Sequence, residues 1–190
     1  MIAGRYYRLL IQVALASAIA LVVALGLQNR SLKERHRELT RLYRGPYPGL
    51  YLPAFDAVTI DGDSLRIGEP PDGMSQTLFF FTTTCPHCRA TVPAWKQIAA
   101  SVNAVGVQLD SSHLAQDYVR DHGLQFPVVH SSDRRLLRVY RVVGVPLTVV
   151  VDASGRVTYS HRGRITDQAV VDSVLAEAAP KIRAVLNPTD

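Results

Sequence analysis

Nineteen consecutive residues, Leu9 to Leu27 (LLIQVALASAIALVVALGL), carry no charge. At about 1.5 Å of rise each they make a helix of roughly 28 Å, which matches the hydrocarbon core of a bilayer. The core helix of a soluble protein is rarely apolar on every face. A cleaved signal peptide has a shorter apolar run with small residues just after it. Here Ala16-Ser17-Ala18 lies mid-span, and Gln28-Asn29-Arg30 follows the run. The segment therefore predicts an uncleaved transmembrane anchor over residues 9–27, behind a short tail of residues 1–8.

The charge distribution supports that reading. Residues 1–45 hold Arg5, Arg8, Arg30, Lys33, Arg35, Arg37, Arg41 and Arg44 against Glu34 and Glu38. That leaves +6 there and −1 over the remainder of a chain whose net charge is +5. The basic character belongs to the arm beside the anchor, where lipid headgroups are its natural counterpart. A nucleic-acid partner is not implied.

Two physical rules disagree on orientation. Six basic residues follow the span and only Arg5 and Arg8 precede it, which by the positive-inside count puts the remainder in the cytoplasm. A dithiol that cycles through a disulfide belongs instead outside the reducing cytosol. The chain's two closely spaced cysteines favour the second rule, so the expectation is a single-pass inner-membrane protein with its domain in the periplasm.

After the span, Leu32, His36, Leu39 and Tyr43 recur at helical spacing, predicting a juxtamembrane helix over 31–43. Gly45-Pro46-Tyr47-Pro48-Gly49 ends it. Residues 28–49 are thus expected to be juxtamembrane helix and linker, and residues 50–190 one folded domain.

Within that domain, 55–60 and 64–67 predict a hairpin turning at Asp61-Gly62-Asp63. TLFFFT, residues 77–82, is a strand-length apolar run that predicts burial on both faces. A helix is expected over 85–101, kinked at Pro93. A strand over 105–109, a helix over 112–122, a short strand over 127–130 and a short helix over 133–140 follow. A hairpin of 147–151 and 157–161 and a closing helix over 167–186 complete the chain. This order predicts an α/β domain with a mixed central sheet flanked by helices.

The chemistry centres on Cys85-Pro86-His87-Cys88. These two cysteines, the only ones in the chain, stand three positions apart. That spacing closes too short a loop to staple a fold. Cys85 follows the buried strand and opens a helix, where backbone N–H groups and the helix dipole favour thiolate over thiol. Cys88 lies one turn later on the same side. Cys85 is therefore the candidate nucleophile and Cys88 the resolving thiol. Pro86 suits the first helical turn because the turn does not use its missing N–H. A partly protonated His87 beside Cys85 stabilises the thiolate, making the disulfide more oxidising. Half of a zinc site has the same spacing, but no second cysteine pair exists and the other histidines are scattered. No metal and no cofactor is called for.

Together, Leu78-Phe79-Phe80-Phe81 before Cys85-Pro86-His87-Cys88-Arg89, Pro93 in the following helix, and Gly144-Val145-Pro146 before an apolar strand resemble the thioredoxin superfamily. Within it the likeness is to membrane-anchored TlpA-like redoxins, over about residues 50–188. The resemblance implies a thioredoxin-like fold and thiol–disulfide oxidoreductase activity. Its implied partners are client proteins with cysteine pairs and a membrane or periplasmic redox partner. It further implies a cis Pro146 lying against the dithiol, with Val145 presenting its backbone to an extended client segment. Two positions depart from the family pattern. Thr84 replaces the aromatic before the first cysteine, and Phe79 replaces a buried carboxylate six residues before it. Without that acid no proton acceptor for Cys88 is evident, which fits slow release or an oxidant role.

Two rival functions remain open at this point. Thr82, three residues before Cys85, matches peroxiredoxin-type thiol peroxidase sites, although Leu78 stands where those sites need proline. Alternatively, Cys85, Cys88 and His87 could carry Cu(I) for assembly of a respiratory oxidase, thiolates being soft ligands.

Overall fold

The computed structural model describes residues 3–43, 45–70, 74–110 and 114–179. The chain divides into two units, Met1–Tyr43 and Arg44–Asp190. The first is a single helix, α1 (Ala3–Tyr43). The expected anchor over residues 9–27 and the expected juxtamembrane helix over 31–43 lie in one uninterrupted element. Ser31 donates its hydroxyl back to the Gln28 carbonyl at 3.1 Å, as a residue inside a helix does. Among the described residues, Leu15–Glu34 is long and apolar enough to cross a membrane, and none of it is buried.

The second unit opens with the hairpin β1 (Phe55–Val58) and β2 (Ser64–Ile67), paired antiparallel. Gly62 has φ +98, and Thr59 Oγ1 accepts the Asp63 N–H, which closes the turn. The main sheet holds β3 (Gln76–Phe81), β4 (Ala104–Gln108), β5 (Val128–His130), β6 (Leu147–Val151) and β7 (Val157–Arg162). Its order is β5-β4-β3-β6-β7. Strands β3, β4 and β5 are parallel, joined by crossovers through α2 (Pro86–Ala99) and α3 (Ala115–His122). After α4 (Arg134–Val139), β6 and β7 return antiparallel, and α5 (Gln168–Ala178) closes the unit. This is the mixed sheet of a thioredoxin-like fold.

The expected elements appear with shifted ends. Cys85 caps α2 rather than belonging to it, and that helix stops at Ala99. The helix expected from residue 112 begins at Ala115, and residues 111–113 lie outside the described set. The closing helix is described to Ala178, and the expectation beyond residue 179 falls outside the described residues.

All six residues of β3 are buried, as an apolar run between two layers requires. Its side chains alternate. Phe79 and Phe81 join Trp95, Cys88, Tyr118 and Phe126 on the face covered by α2, α3 and α5. Leu78 and Phe80 join Leu52, Ile67, Leu136 and Tyr140 on the other face. Gly106 in β4 makes room for the first cluster. A Cβ there would stand 3.1 Å from the rings of Phe81 and Phe126 and 3.0 Å from Val128.

Register fixes where chemistry can occur. Phe81 pairs with Gln108, Gln108 with His130, and Phe80 with Leu147. The C-terminal ends of β3, β4 and β5 and the start of β6 therefore share one sheet edge. The Cys85 loop, Asp110, His130 and Pro146 all arise there.

Candidate active site

Cys85 takes extended dihedrals, φ −80 and ψ 115, as the N-cap of α2. Its Sγ accepts the backbone N–H of Cys88 at 3.3 Å, a bond that most N-caps make with oxygen. Pro86 occupies the start of the helix, where its missing N–H costs nothing. Cys85 is half-buried and Cys88 fully buried. Both sulfurs thus sit on one helical turn, the first reachable from solvent and the second behind it.

Cys88 is pushed up to about 12. Burial is the main cause, followed by its hydrogen bond to Cys85, with the charges of Cys85 and Asp110 adding to the rise. A backbone bond at Thr82 offsets part of it. Tyr118 likewise rises to about 12, chiefly by burial and then by the nearness of Cys88. Both groups hold their protons more tightly folded than unfolded. Their stabilisation is complete below the ordinary values of 9.0 and 10.0 and is lost as pH climbs through about 12. The dithiol protein should therefore lose urea resistance from about pH 9 upward. The disulfide form, with no Cys88 proton to release, should keep that share and lose only the Tyr118 part. Equal alkaline slopes for the two forms would contradict this assignment.

The other anticipated residues fall around this pair. His87 is exposed on the first turn of α2, and its carbonyl accepts the Thr91 hydroxyl at 2.8 Å. The Val145–Pro146 peptide bond is cis, the isomer that the resemblance implies. Pro146 is buried, while Val145 and Cys85 both pack against the cluster that contains Cys88.

Sequence reasoning missed a polar chain beside the thiols. Asp110, just beyond β4, accepts from the Thr83 N–H at 2.8 Å and from the Thr83 hydroxyl at 2.5 Å, both on Oδ2. Its Oδ1 accepts from Gln108 Nε2. The buried Gln108 in turn meets His130 Nδ1 at 2.7 Å through Oε1. Thr83 stands two residues before Cys85, so the chain braces the loop that presents the nucleophile. An aspartate closing an apolar strand was the available signal. Among the described residues, no group of three His, Cys, Asp or Glu is clustered to hold a metal.

A family model described as AhpC/TSA family matches residues 48–160. Sporulation thiol-disulfide oxidoreductase A of Bacillus subtilis is 28% identical over 127 residues, covering 60% of this chain and 76% of that protein. The thiol-disulfide oxidoreductase ResA of Halalkalibacterium halodurans is 25% identical, over 58% of this chain and 66% of its own length. The DsbE homolog of Paracoccus denitrificans, a thiol:disulfide interchange protein, is 27% identical, over 55% of this chain and 60% of its own length. The chain thus spans between 60% and 76% of these three relatives. Among solved structures, MTB dsbF is 30% identical with a TM-score of 0.57, covering 65% of this chain and 94% of that one. A secreted Mycobacterium tuberculosis disulfide oxidoreductase is 26% identical with a TM-score of 0.55, covering 64% of this chain and 94% of that one.

Proposed function

Since the chain belongs to the AhpC/TSA family, we propose that it is a membrane-tethered, TlpA-like redoxin exchanging a Cys85–Cys88 disulfide or dithiol with cysteine pairs of client proteins. One observation carries this reading: an accessible Cys85 sulfur accepts the Cys88 N–H while the Cys88 thiol waits, buried, behind it. In the reducing direction, Cys85 sulfur attacks one sulfur of a client disulfide. The client's other sulfur leaves as a thiolate and takes a proton from solvent. Cys88 then gives up its proton and attacks Cys85, releasing the second client thiol. The client gains two electrons and the Cys85–Cys88 disulfide forms. Run backwards, the same steps oxidise a client.

Val145 and the cis Pro146 form the docking edge in this proposal, with Val145 lending its backbone to an extended client segment. Residues 9–27 hold the domain of residues 50–190 at the inner membrane through the linker of residues 28–49. The domain faces the periplasm, and a membrane or periplasmic redox partner resets the couple. The similarity to thiol-disulfide oxidoreductases supports this assignment.

Equilibration of the purified protein with glutathione buffers tests the reading. A single two-electron transition joining both thiols is expected, with a potential that gives the direction of flux: near the strong oxidants for disulfide donation, near thioredoxin for reduction. Replacing His87 with alanine should make the couple more reducing, about 30 mV for each 1.4 kcal/mol of lost dithiol stabilisation. An unchanged potential removes the tuning role. Two thiols that titrate independently, or rapid peroxide consumption without exchange, would overturn the exchange reading.

A further inference from the structure

The hydrogen bonds at Asp110 have a direction. A carboxylate only accepts, so Thr83 N–H, Thr83 O–H and Gln108 Nε2 must all donate to it. With its nitrogen committed, Gln108 turns Oε1 to His130, whose Nδ1 must then carry hydrogen. Among the described ion pairs none involves Asp110. A negative charge is therefore pinned at both oxygens beside the active-site loop by neutral donors, with no described cation paired to it.

We propose that the Asp110 carboxylate holds Cys88 as a thiol and so lengthens the life of the mixed disulfide between Cys85 and a client. The inference deepens the exchange reading above and rests on it. In the resolving step Cys88 must release its proton to a base. Its sulfur then bonds to Cys85, the bond between Cys85 and the client breaks, and the client sulfur leaves as a thiolate that takes up a proton. A fixed negative charge nearby opposes the first of these events. The described titratable and charged groups around Cys88 are Cys85, Asp110, Tyr118 and, on its own helical turn, His87 and Arg89. Cys85 is neutralised once joined to a client. Tyr118 stays protonated, and among the described residues its buried hydroxyl has no hydrogen-bond partner. Arg89 is exposed. His87 is likewise exposed, where solvent screens it, and Asp110 is the fixed negative charge that acts on Cys88 during resolution.

The network itself supplies a clean variant. In Asp110→Asn the side-chain oxygen can keep both Thr83 donors while the new NH2 group faces Gln108. Gln108 can then flip its amide and His130 can switch tautomer, so the bonds from residue 110 through Gln108 to His130 can re-form without the charge. The rate of resolution is read from the decay of a mixed disulfide formed rapidly with a model disulfide peptide, across pH 5–9. Asp110→Asn should move the profile to lower pH. Each tenfold gain in thiolate is partly offset by weaker nucleophilicity. Resolution at pH 7 should therefore be about threefold faster for every pH unit by which the profile moves. Asp110→Glu keeps the charge and should leave the profile in place. If Asn folds poorly, Asp110→Ser carries the same expectation as Asn. An unshifted profile, slower resolution in the neutral variants, or an equal shift in Asp110→Glu overturns the proposal. A wild-type protein that forms no mixed disulfide overturns the exchange reading instead.

Discussion

Replacing Cys85 with alanine is expected to abolish disulfide exchange, whereas replacing Cys88 with alanine should leave the first attack intact and accumulate protein joined to its client. The asymmetry follows from position. Cys85 caps α2 as a half-buried residue whose sulfur already accepts a backbone N–H. Removing it leaves the fully buried Cys88 as the remaining thiol, with no approach for a client. Exchange should then fall to the background rate of the assay. In Cys88→Ala the cap bond survives, because the donor is the backbone N–H of residue 88 and not its side chain. Attack therefore continues, and the mixed disulfide has no internal thiol to resolve it. Non-reducing gels or intact mass spectrometry after mixing with a cysteine-pair client would show a persistent adduct in Cys88→Ala and none in Cys85→Ala. An adduct on Cys88 in the Cys85→Ala protein would reverse the assigned roles.

What the sequence discloses about this site depends on how local each signal is. TLFFFT, Asp61-Gly62-Asp63 and the alternation of strands with helices are local patterns, and each corresponds to an observed element. The thiols are equally local, since one helical turn brings residues three apart together. Asp110 is not. Its contact with Thr83 spans twenty-seven residues and exists because the parallel register sets Phe81 beside Gln108. Gln108 meets His130 through the next register pair. In one dimension Gln108 looks like the frayed end of a strand and Asp110 like a surface turn. Tyr140 is similar: its hydroxyl donates to the Pro53 carbonyl at 2.9 Å, across eighty-seven residues. Six residues before Cys85, β3 holds Phe79, while Asp110 follows the end of β4.

Phe79 has another task, and it leads to the second large effect. Its ring stacks on Trp95 with centroids 5.3 Å apart, and Phe81 lies 5.9 Å from the same indole. Trp95 is fully buried one helical stretch beyond Cys88, in the same cluster, and its Nε1–H donates to Thr148 Oγ1 at 3.1 Å. That bond ties α2 to β6, the strand that follows Pro146. Trp95→Ala should therefore cost about 3–5 kcal/mol through lost burial and the cavity left behind, with about 1 kcal/mol more for the stranded Thr148 hydroxyl. Domains of this size are stable by roughly 5–15 kcal/mol, so a large part of the total is lost. Trp95→Phe keeps an aromatic ring over Phe79 and forfeits mainly the hydrogen bond, and should cost about 1–2 kcal/mol. Urea unfolding gives both values. Iodoacetamide labelling of Cys88 below the unfolding midpoint separates local from global loss, because a floor weakened at Trp95 exposes the buried thiol first. Equal costs for the two variants, with Cys88 protected in both, would mean that the aromatic stack does not support the dithiol.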